Sequence, residues 1–314
     1  MRVITWGRAV VFEASLFGRM QITHDGREVA ALSATKSSAL FAYLLLHPGV
    51  PLKREVLADV VWGEPSGFDA QKAVRQELYN LCNHLKKAGI APAGLMSISR
   101  HEIGLAETAD LTVDLWLFND LLDGVSAPSP LSENDVAHLE QAVGLYTGDL
   151  LPGVYFDWCQ FARETARTRY LVALEMLMHH FFTLERWDAV IDIGRRLLKE
   201  DMILEYVHRT LMQAYYNKGC RASALRQYGQ CRAALESVFE EPTEPMAETR
   251  HLYLTIRNET ISKFDRAQAA PAHAFRRPDR PLAMKVPSAR QDPAAISKGL
   301  REIADQIDRL KLPF

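Results

Sequence analysis

Cysteine is scarce in this chain of 314 residues, and its four copies follow no pairing pattern. They lie far apart, without the Cys-x-x-Cys spacing that marks zinc sites and redox motifs. Each falls among apolar neighbours in a segment predicted to be helical, so we expect buried or half-buried reduced thiols at Cys82, Cys159, Cys220 and Cys231. Neither a disulfide framework nor a metal site is predicted.

Long apolar runs are also missing. The longest, Leu40 to Leu46, is interrupted only by the hydroxyl of Tyr43 and is far too short to span a bilayer. The first residues contain no apolar stretch followed by a small-residue cleavage site. We therefore expect no membrane association and retention in the cytoplasm.

Neither sign of charge dominates the sequence. The net charge is −2, and residues 1–110 contain 12 Lys and Arg against 11 Asp and Glu. Any basic surface that binds nucleic acid must therefore be local.

The sequence has no glycine-rich phosphate loop and no nucleophile, base and orienting group at a useful spacing. An enzyme is not expected, nor is a cofactor.

What the sequence does contain begins with extended segments. Apolar and polar side chains alternate loosely around Phe12, Phe17 and Ile22, and Asp25-Gly26 between two extended runs is a strong hairpin signal. A small antiparallel sheet is predicted to precede the helices.

The following segments have the order of a winged helix-turn-helix. Helices are predicted from Thr35 to His47, from Lys53 to Trp62 and from Asp69 to Ala88, and a hairpin from Leu95 to Leu105. A turn at 48–51 separates the first two helices, and Asp69 is expected to cap the third. Three helices and a wing are the parts of a protein that reads a DNA groove.

The third helix has two distinct faces. Val74, Leu78, Leu81 and Leu85 recur at spacings of four and three and should face the core. The opposite face carries cations for phosphates and amides for base edges, and Arg100 marks the tip of the hairpin. Including the start of the first helix, the expected DNA contacts are Lys36, Lys72, Arg75, Gln76, Tyr79, Asn80, Asn83, Lys87 and Arg100. Any amphipathic helix needs a solvated polar face, so the polar face alone does not indicate DNA binding. The position of the third helix before a hairpin is what favours it.

Residues 133–258 are predicted to be consecutive helices. Trp187 and Arg221 lie 34 residues apart, as do Glu185 and Gly219 at matching turn positions. This period is that of tetratricopeptide repeats. Only two units are clear, so helices near 139–145, 161–182 and 246–257 are expected to cap the array.

The chain after residue 261 changes in composition. Residues 266–293 contain five prolines and five arginines, which is typical of a flexible linker. Apolar residues at positions 296, 300, 303, 307 and 310 then predict an amphipathic helix. This helix could dock on its own array, pair with another protomer or engage a different protein.

Particular motifs resemble a known family. Ala34-Thr35-Lys36, the turn Leu46-His47-Pro48-Gly49 and Arg54-Glu55-x-Leu57 resemble the winged helix of the Streptomyces antibiotic regulatory protein family, whose members are transcriptional activators. Val113-Asp114-Leu115-Trp116 and the stretch from Gly219 to Tyr228 resemble the bacterial transcriptional activator domain of the same family. The resemblance covers about residues 10–258.

This resemblance implies two protomers on direct repeats of double-stranded promoter DNA, helping RNA polymerase holoenzyme to bind. The third helix departs from the family, which usually carries Ser-Arg and Leu-Arg pairs where this chain has Tyr79-Asn80 and Leu81-Cys82. Fewer arginines mean fewer phosphate anchors, so weaker or differently specific DNA binding is expected.

We therefore predict a mainly α-helical protein. The expected domains are a winged helix-turn-helix with a small sheet and wing (1–110), a tetratricopeptide-like activator domain (111–261), a linker (262–293) and an amphipathic C-terminal helix (294–314). Two alternatives stay open for its function: a protein-interaction adaptor whose winged helix has lost DNA binding, and a regulator gated by a small-molecule or protein effector.

Overall fold

The structure is a computed structural model that describes residues 12–24, 27–28, 36–62, 67–87, 89–106, 110–125, 130–238 and 243–258. The predicted linker and C-terminal helix lie outside the described residues, as does Thr35. The described residues form two compact units. The first runs as far as Val113 and also includes Leu151–Gln160, and the second consists of Asp114–Leu150 and the described residues from Phe161 to Asn258.

The first unit contains seven described strands and three α-helices. The strands are β1 (Phe12–Ser15), β2 (Gln21–His24), β3 (Arg27–Glu28), β4 (Leu52–Lys53), β5 (Met96–Ile98), β6 (Glu102–Leu105) and β7 (Leu111–Val113). The helices are α1 (Lys36–Leu46), α2 (Arg54–Trp62) and α3 (Gly67–Lys87).

The described helices that follow are α4 (Asp114–Asp123), α5 (Glu133–Leu145), α6 (Asp157–Thr183), α7 (Trp187–Glu200), α8 (Glu205–Asn217), α9 (Arg221–Val238) and α10 (Ala247–Asn258). The mainly helical prediction, with a small N-terminal sheet and a helical array, is confirmed.

One sheet has the strand order β3-β2-β1-β7. The predicted hairpin is confirmed, because His24 pairs with Arg27 across the Asp-Gly position in an antiparallel register. Strand β7 pairs with β1 in parallel, with Phe12 aligned with Leu111. The sequence did not predict this pairing. The sequence had placed residues 111–113 at the start of the second domain, whereas they complete the first sheet.

A second sheet, with the order β4-β6-β5, contains the wing. The predicted hairpin is confirmed by the pairing of Met96 with Leu105 and of Ile98 with Ile103. Its third strand was missed, because the second helix was expected to begin at Lys53. Lys53 instead pairs with Glu102 in β4, and α2 begins one residue later.

Two further details of the helices differ from expectation. A surface helix buries only one stripe, but every residue of α1 from Ser37 to Leu45 is buried, which makes α1 the central helix of the unit. Helix α3 begins at Gly67, so Asp69 lies inside its first turn and is not the capping residue that precedes it.

The second unit confirms the repeat period where its turns are described. Helices α7 and α9 begin at Trp187 and Arg221, and the turns before them place Glu185 and Gly219 at φ of 55° and 84°. Both turns therefore use a left-handed residue two positions before the helix. Glycine adopts this conformation without strain, whereas glutamate does so at a cost.

Helices α7 and α8 approach most closely at a glycine. A Cβ atom built on Gly194 would lie 2.7 Å from Cδ2 of Leu211, a side chain with no solvent exposure. Val190, Leu197 and Val207 are also completely buried in this unit. The absence of a side chain at position 194 thus allows the two helices to pack together.

A buried polar contact joins α8 and α9. His208 is 3% exposed, its Nε2 lies 2.9 Å from the carbonyl oxygen of Met202, and its Nδ1 lies 2.7 Å from Nε2 of Gln227. The amide of Gln227 donates to the imidazole, so the ring is a neutral species with its proton on Nε2. Burial lowers the pKa of His208, although the surrounding hydrogen bonds oppose the shift.

The cysteines, and the predicted absence of membrane and metal sites, can also be compared with the structure. Cys82 is half-buried and Cys159 and Cys231 are buried, but Cys220 is exposed because it lies in the turn before α9. None of the described helices is both long and apolar enough to cross a membrane. Among the described residues, no group of three His, Cys, Asp or Glu side chains is placed to hold a metal ion.

We predict that Gly194→Ala destabilises the chain by about 1 kcal/mol. Overpacking against Leu211 costs about 1–3 kcal/mol, which exceeds the gain of up to ~1 kcal/mol in helix propensity. The matched control is Gly229→Ala in α9, where a Cβ atom would meet nothing within 4 Å. It should stabilise by about 0.5–1 kcal/mol. Urea unfolding measures both, and equal shifts for the two variants would contradict the packing argument.

We predict that acidification destabilises the chain partly through His208. Its pKa is lowered in the folded state, so the unfolded chain takes up the proton first as the pH falls. The stabilisation is complete above the unfolded pKa of about 6.5 and is lost as the pH falls through the folded pKa.

The variant His208→Gln should flatten the dependence of unfolding free energy on pH over this window, by at most about 1.4 kcal/mol per pH unit. The exposed His251 lies on α10 and provides the control His251→Gln. Urea titrations at several pH values measure the slopes. An unchanged slope in His208→Gln would exclude the buried imidazole as a source of acid sensitivity.

Candidate nucleic-acid interface

The position of α3 is determined by its apolar stripe. Val74, Leu81 and Leu85 are completely buried and Leu78 is 6% exposed. These residues face the core of the first unit, where α3 packs against α1 and α2. The opposite face is therefore turned to solvent, and Tyr79 on it is 63% exposed.

The predicted DNA contacts divide into exposed and half-buried residues. Those that the structure exposes are Lys36, Lys72, Arg75, Gln76, Tyr79, Lys87 and Arg100. Asn80 and Asn83 are half-buried at the margin of the same face. At 3.6 residues per turn, the residues of this set that belong to α3 share one face of the helix. We call this the α3 face. Lys36 begins α1, and Arg100 lies in the wing turn.

A chain of hydrogen bonds orients part of the α3 face. The hydroxyl of Ser37 donates to Oε2 of Glu77 at 2.6 Å, and Nδ2 of Asn80 donates to the same oxygen at 3.4 Å. Nε2 of Gln76 in turn donates to Oδ1 of Asn80 at 3.1 Å. Glu77 therefore lies toward the buried side, as predicted, and both polar groups of Asn80 already have partners within α3.

The wing turn is held by its own hydrogen bonds. Ser99 accepts at Oγ from the backbone N–H of Glu102 at 2.9 Å and from that of His101 at 3.3 Å. The backbone N–H of Ser99 donates to the carbonyl of Glu102 at 2.9 Å. These bonds close a tight turn with the side chain of Arg100 exposed at its tip.

Arg54 fixes the wing turn from outside. The sequence identifies it only as part of the motif Arg54-Glu55-x-Leu57 and does not predict this contact. Its Nη2 donates to the carbonyl oxygen of Ser99 at 2.8 Å, and its backbone N–H donates to the carbonyl of His101 at 3.0 Å. The short strand β4 brings Arg54 to this position. A strand of two residues shows no periodicity, so the sequence carried no signal for the contact.

Local electrostatics favour anions at the α3 face. Glu77 is the only acid among residues 71–87, and it is turned toward Ser37. Lys86 is also exposed at the edge of the face. Burial raises the pKa of the Cys82 thiol against the opposing effect of Lys86. The thiol is therefore neutral and adds no negative charge.

We predict that Arg54→Met loosens the wing turn without unfolding the unit. Loss of a charge-assisted hydrogen bond at a partly exposed site costs about 1 kcal/mol. Exchange of the His101 and Glu102 amide protons should therefore become roughly fivefold faster. The control is Lys53→Met, because Lys53 is the exposed neighbouring residue in β4. NMR-detected hydrogen exchange measures the change, and equal wing protection in both variants would argue against a role for the guanidinium.

Two sequence comparisons relate this chain to known proteins, one mainly over the second unit and one over nearly its whole length. Residues 113–257 match the family model described as the bacterial transcriptional activator domain. Regulatory protein AfsR of Streptomyces coelicolor is 26% identical over 304 residues, which is 92% of this chain. The chain spans only 28% of the length of that relative.

A solved structure shares the fold. Mycobacterium tuberculosis EmbR, in complex with a low-affinity phosphopeptide, aligns with a TM-score of 0.59 and 22% sequence identity. The alignment covers 84% of this chain and 69% of that chain. Residues 113–257 are therefore similar to the bacterial transcriptional activator domain, and most of the chain is similar in sequence to Regulatory protein AfsR.

Proposed function

We propose that this chain is a sequence-specific DNA-binding activator of transcription. The observation that carries the proposal is the α3 face, which exposes cations and the amide of Gln76, in a unit that also has a wing turn held by hydrogen bonds. A recognition helix enters the major groove with such a face, while a wing reaches adjacent backbone. A regulator of this kind would act in the cytoplasm, where bacterial promoter DNA lies.

Affinity would come mainly from cations on the α3 face and the wing. Lys72, Arg75, Lys87 and Arg100 are exposed and free to approach phosphates without burial of an unpaired charge. Each phosphate contact releases counterions, so binding should weaken steeply with salt. This local cluster is compatible with a first domain of nearly neutral charge.

Specificity would come from the amides. Gln76 is exposed, and its free carbonyl group and second N–H can pair with a base edge while the first N–H is held by Asn80. Asn80 therefore serves as an orienting residue for Gln76 in this proposal. Asn83 lies about two turns beyond Gln76 and offers a second amide to the groove.

The helical array would supply the protein contacts. The similarity to transcriptional activators supports a dimer on promoter repeats that contacts RNA polymerase holoenzyme. Helical repeats bind partners through extended surfaces, which suits this role. In this proposal, the first unit reads DNA and the second recruits protein.

A second candidate is an adaptor that no longer binds DNA. The observation in its favour is the low number of arginines on α3, where residues 71–87 contain Arg75 alone. An adaptor would retain the winged helix as a scaffold and act through the array. Its DNA binding would be weak and indifferent to sequence.

We predict distinct effects for two substitutions on the α3 face. Lys72→Ala should weaken binding to all DNA sequences and lower the logarithmic salt slope by about one. Asn83→Ala should relax sequence preference, with a loss of about 1–3 kcal/mol confined to the preferred site. Fluorescence anisotropy on upstream and scrambled DNA across a salt series measures both effects.

The control variant is Arg232→Ala, which removes an exposed arginine of α9 that pairs with Glu236. It should leave DNA binding unchanged. A salt slope unaltered by Lys72→Ala would contradict the docking of α3 on DNA. Equal weak binding of the parent chain to promoter and scrambled DNA would favour the adaptor.

A further inference from the structure

Two adjoining cavities follow one face of α9 in the second unit. Their volumes are about 400 Å³ and 390 Å³, and they share Leu198 and Gln230 in their linings. We call the combined depression the α9 groove. A volume of this size is within the range of ligand-binding clefts.

The groove follows α9 over most of its length. Its lining residues on α9 have the i, i+3, i+4, i+7 spacing of one helix face: Ser223, Arg226, Gln227, Gln230, Ala233, Ala234 and Ser237. At 1.5 Å per residue, Ser223 to Ser237 spans about 21 Å. An extended peptide of about six residues covers the same distance.

The end of the groove near the start of α9 is positively charged. Arg195, Lys199 and Arg226 line it, and none of the described residues in its lining is a carboxylate. Nη2 of Arg195 donates to the hydroxyl of Tyr215 at 3.0 Å, and Nη2 of Arg226 donates to Oγ of Ser223 at 2.8 Å. Each guanidinium is thus oriented by a neutral partner and keeps further N–H donors for an anion.

The other end is mainly apolar. Leu198, Met202, Ala233 and Ala234 line it, and Met202 is 54% exposed. Methionine adapts its shape to apolar partners, which makes it common at protein-binding surfaces. The small alanines keep this part of the groove open.

A buried hydrogen bond connects the two ends. Gln227 belongs to the basic lining and His208 to the apolar lining, and the amide of Gln227 donates to the imidazole at 2.7 Å. Both residues are at most 5% exposed. The two halves therefore share one ordered floor.

We propose that the α9 groove binds a peptide segment of a partner protein in which acidic residues are followed by apolar ones. One end of the groove is basic and the other is mainly apolar, and the two ends lie about 20 Å apart. A small anion would use the basic end alone, so the groove favours a segment that carries both kinds of residue. DNA is disfavoured because the apolar end offers nothing to phosphates. The proposal is independent of DNA binding by the first unit.

The test uses the full chain and a short fluorescein-labelled peptide. One half of the peptide contains aspartate and glutamate, and the other contains leucine and phenylalanine. A second peptide has the same composition with the two kinds of residue interleaved. Anisotropy should show that the first peptide binds roughly tenfold more tightly than the second.

Two pairs of variants locate the binding. Arg226→Ala should weaken binding of the first peptide about tenfold, whereas Arg232→Ala on the same helix should not, because Arg232 is outside the groove lining. Ala233→Trp should block the apolar end, and Arg232→Trp, at an exposed position on another face of the same helix, should have no effect. Circular dichroism confirms that each variant keeps the helical content of the parent chain.

Several results would overturn the proposal. Equal affinity for the two peptides would show attraction by charge alone, and displacement of the peptide by an equal concentration of inorganic triphosphate would indicate a small-anion site. Absence of peptide binding, together with loss of self-association in Arg226→Ala by sedimentation, would assign the groove to a second copy of the chain. DNA binding in the variants is measured separately, so failure of the groove and failure of the α3 face are distinguishable.

Discussion

The burial of the α3 apolar stripe against α1 is the constraint on which the DNA-facing surface depends. Helix α1 is buried from Ser37 to Leu45, so it can act as a fixed surface for its neighbours. Leu81 and Leu85 are completely enclosed, and rotating α3 would expose them at about 1.5–3 kcal/mol each. This energy holds the polar face outward, which means that recognition chemistry and core packing are set by the same helix.

Polar contacts then fix details that burial leaves free. Ser37 and Glu77 join α1 to α3 through a hydrogen bond of 2.6 Å, and the carboxylate orders Asn80 on the outer face. Arg54 performs a similar function at the wing by holding the carbonyl of Ser99. In both places a residue behind the surface positions the groups that contact solvent, and such supporting contacts decide how precisely a site is preorganised.

The sequence predicted what periodicity and turn chemistry encode. The spacing of four and three on α3, the Asp-Gly hairpin and the 34-residue repeat all describe local order, and the structure contains each of them. It did not predict β4 or β7, because strands of two or three residues have no measurable alternation and depend on distant partners. The contact of Arg54 with the wing was missed for the same reason, since Arg54 and Ser99 lie 45 positions apart in the chain.

The second unit uses its packing residues for a further purpose. Leu211 fills the space left by Gly194 and also lines the basic end of the α9 groove. Gln227 is buried by its contact with His208, yet it forms part of the same lining. Close packing makes interiors resist deformation, so a groove whose floor is core keeps its shape without a ligand. Less ordering entropy is then lost on binding, and a groove with one basic and one apolar end can select a partner that matches both.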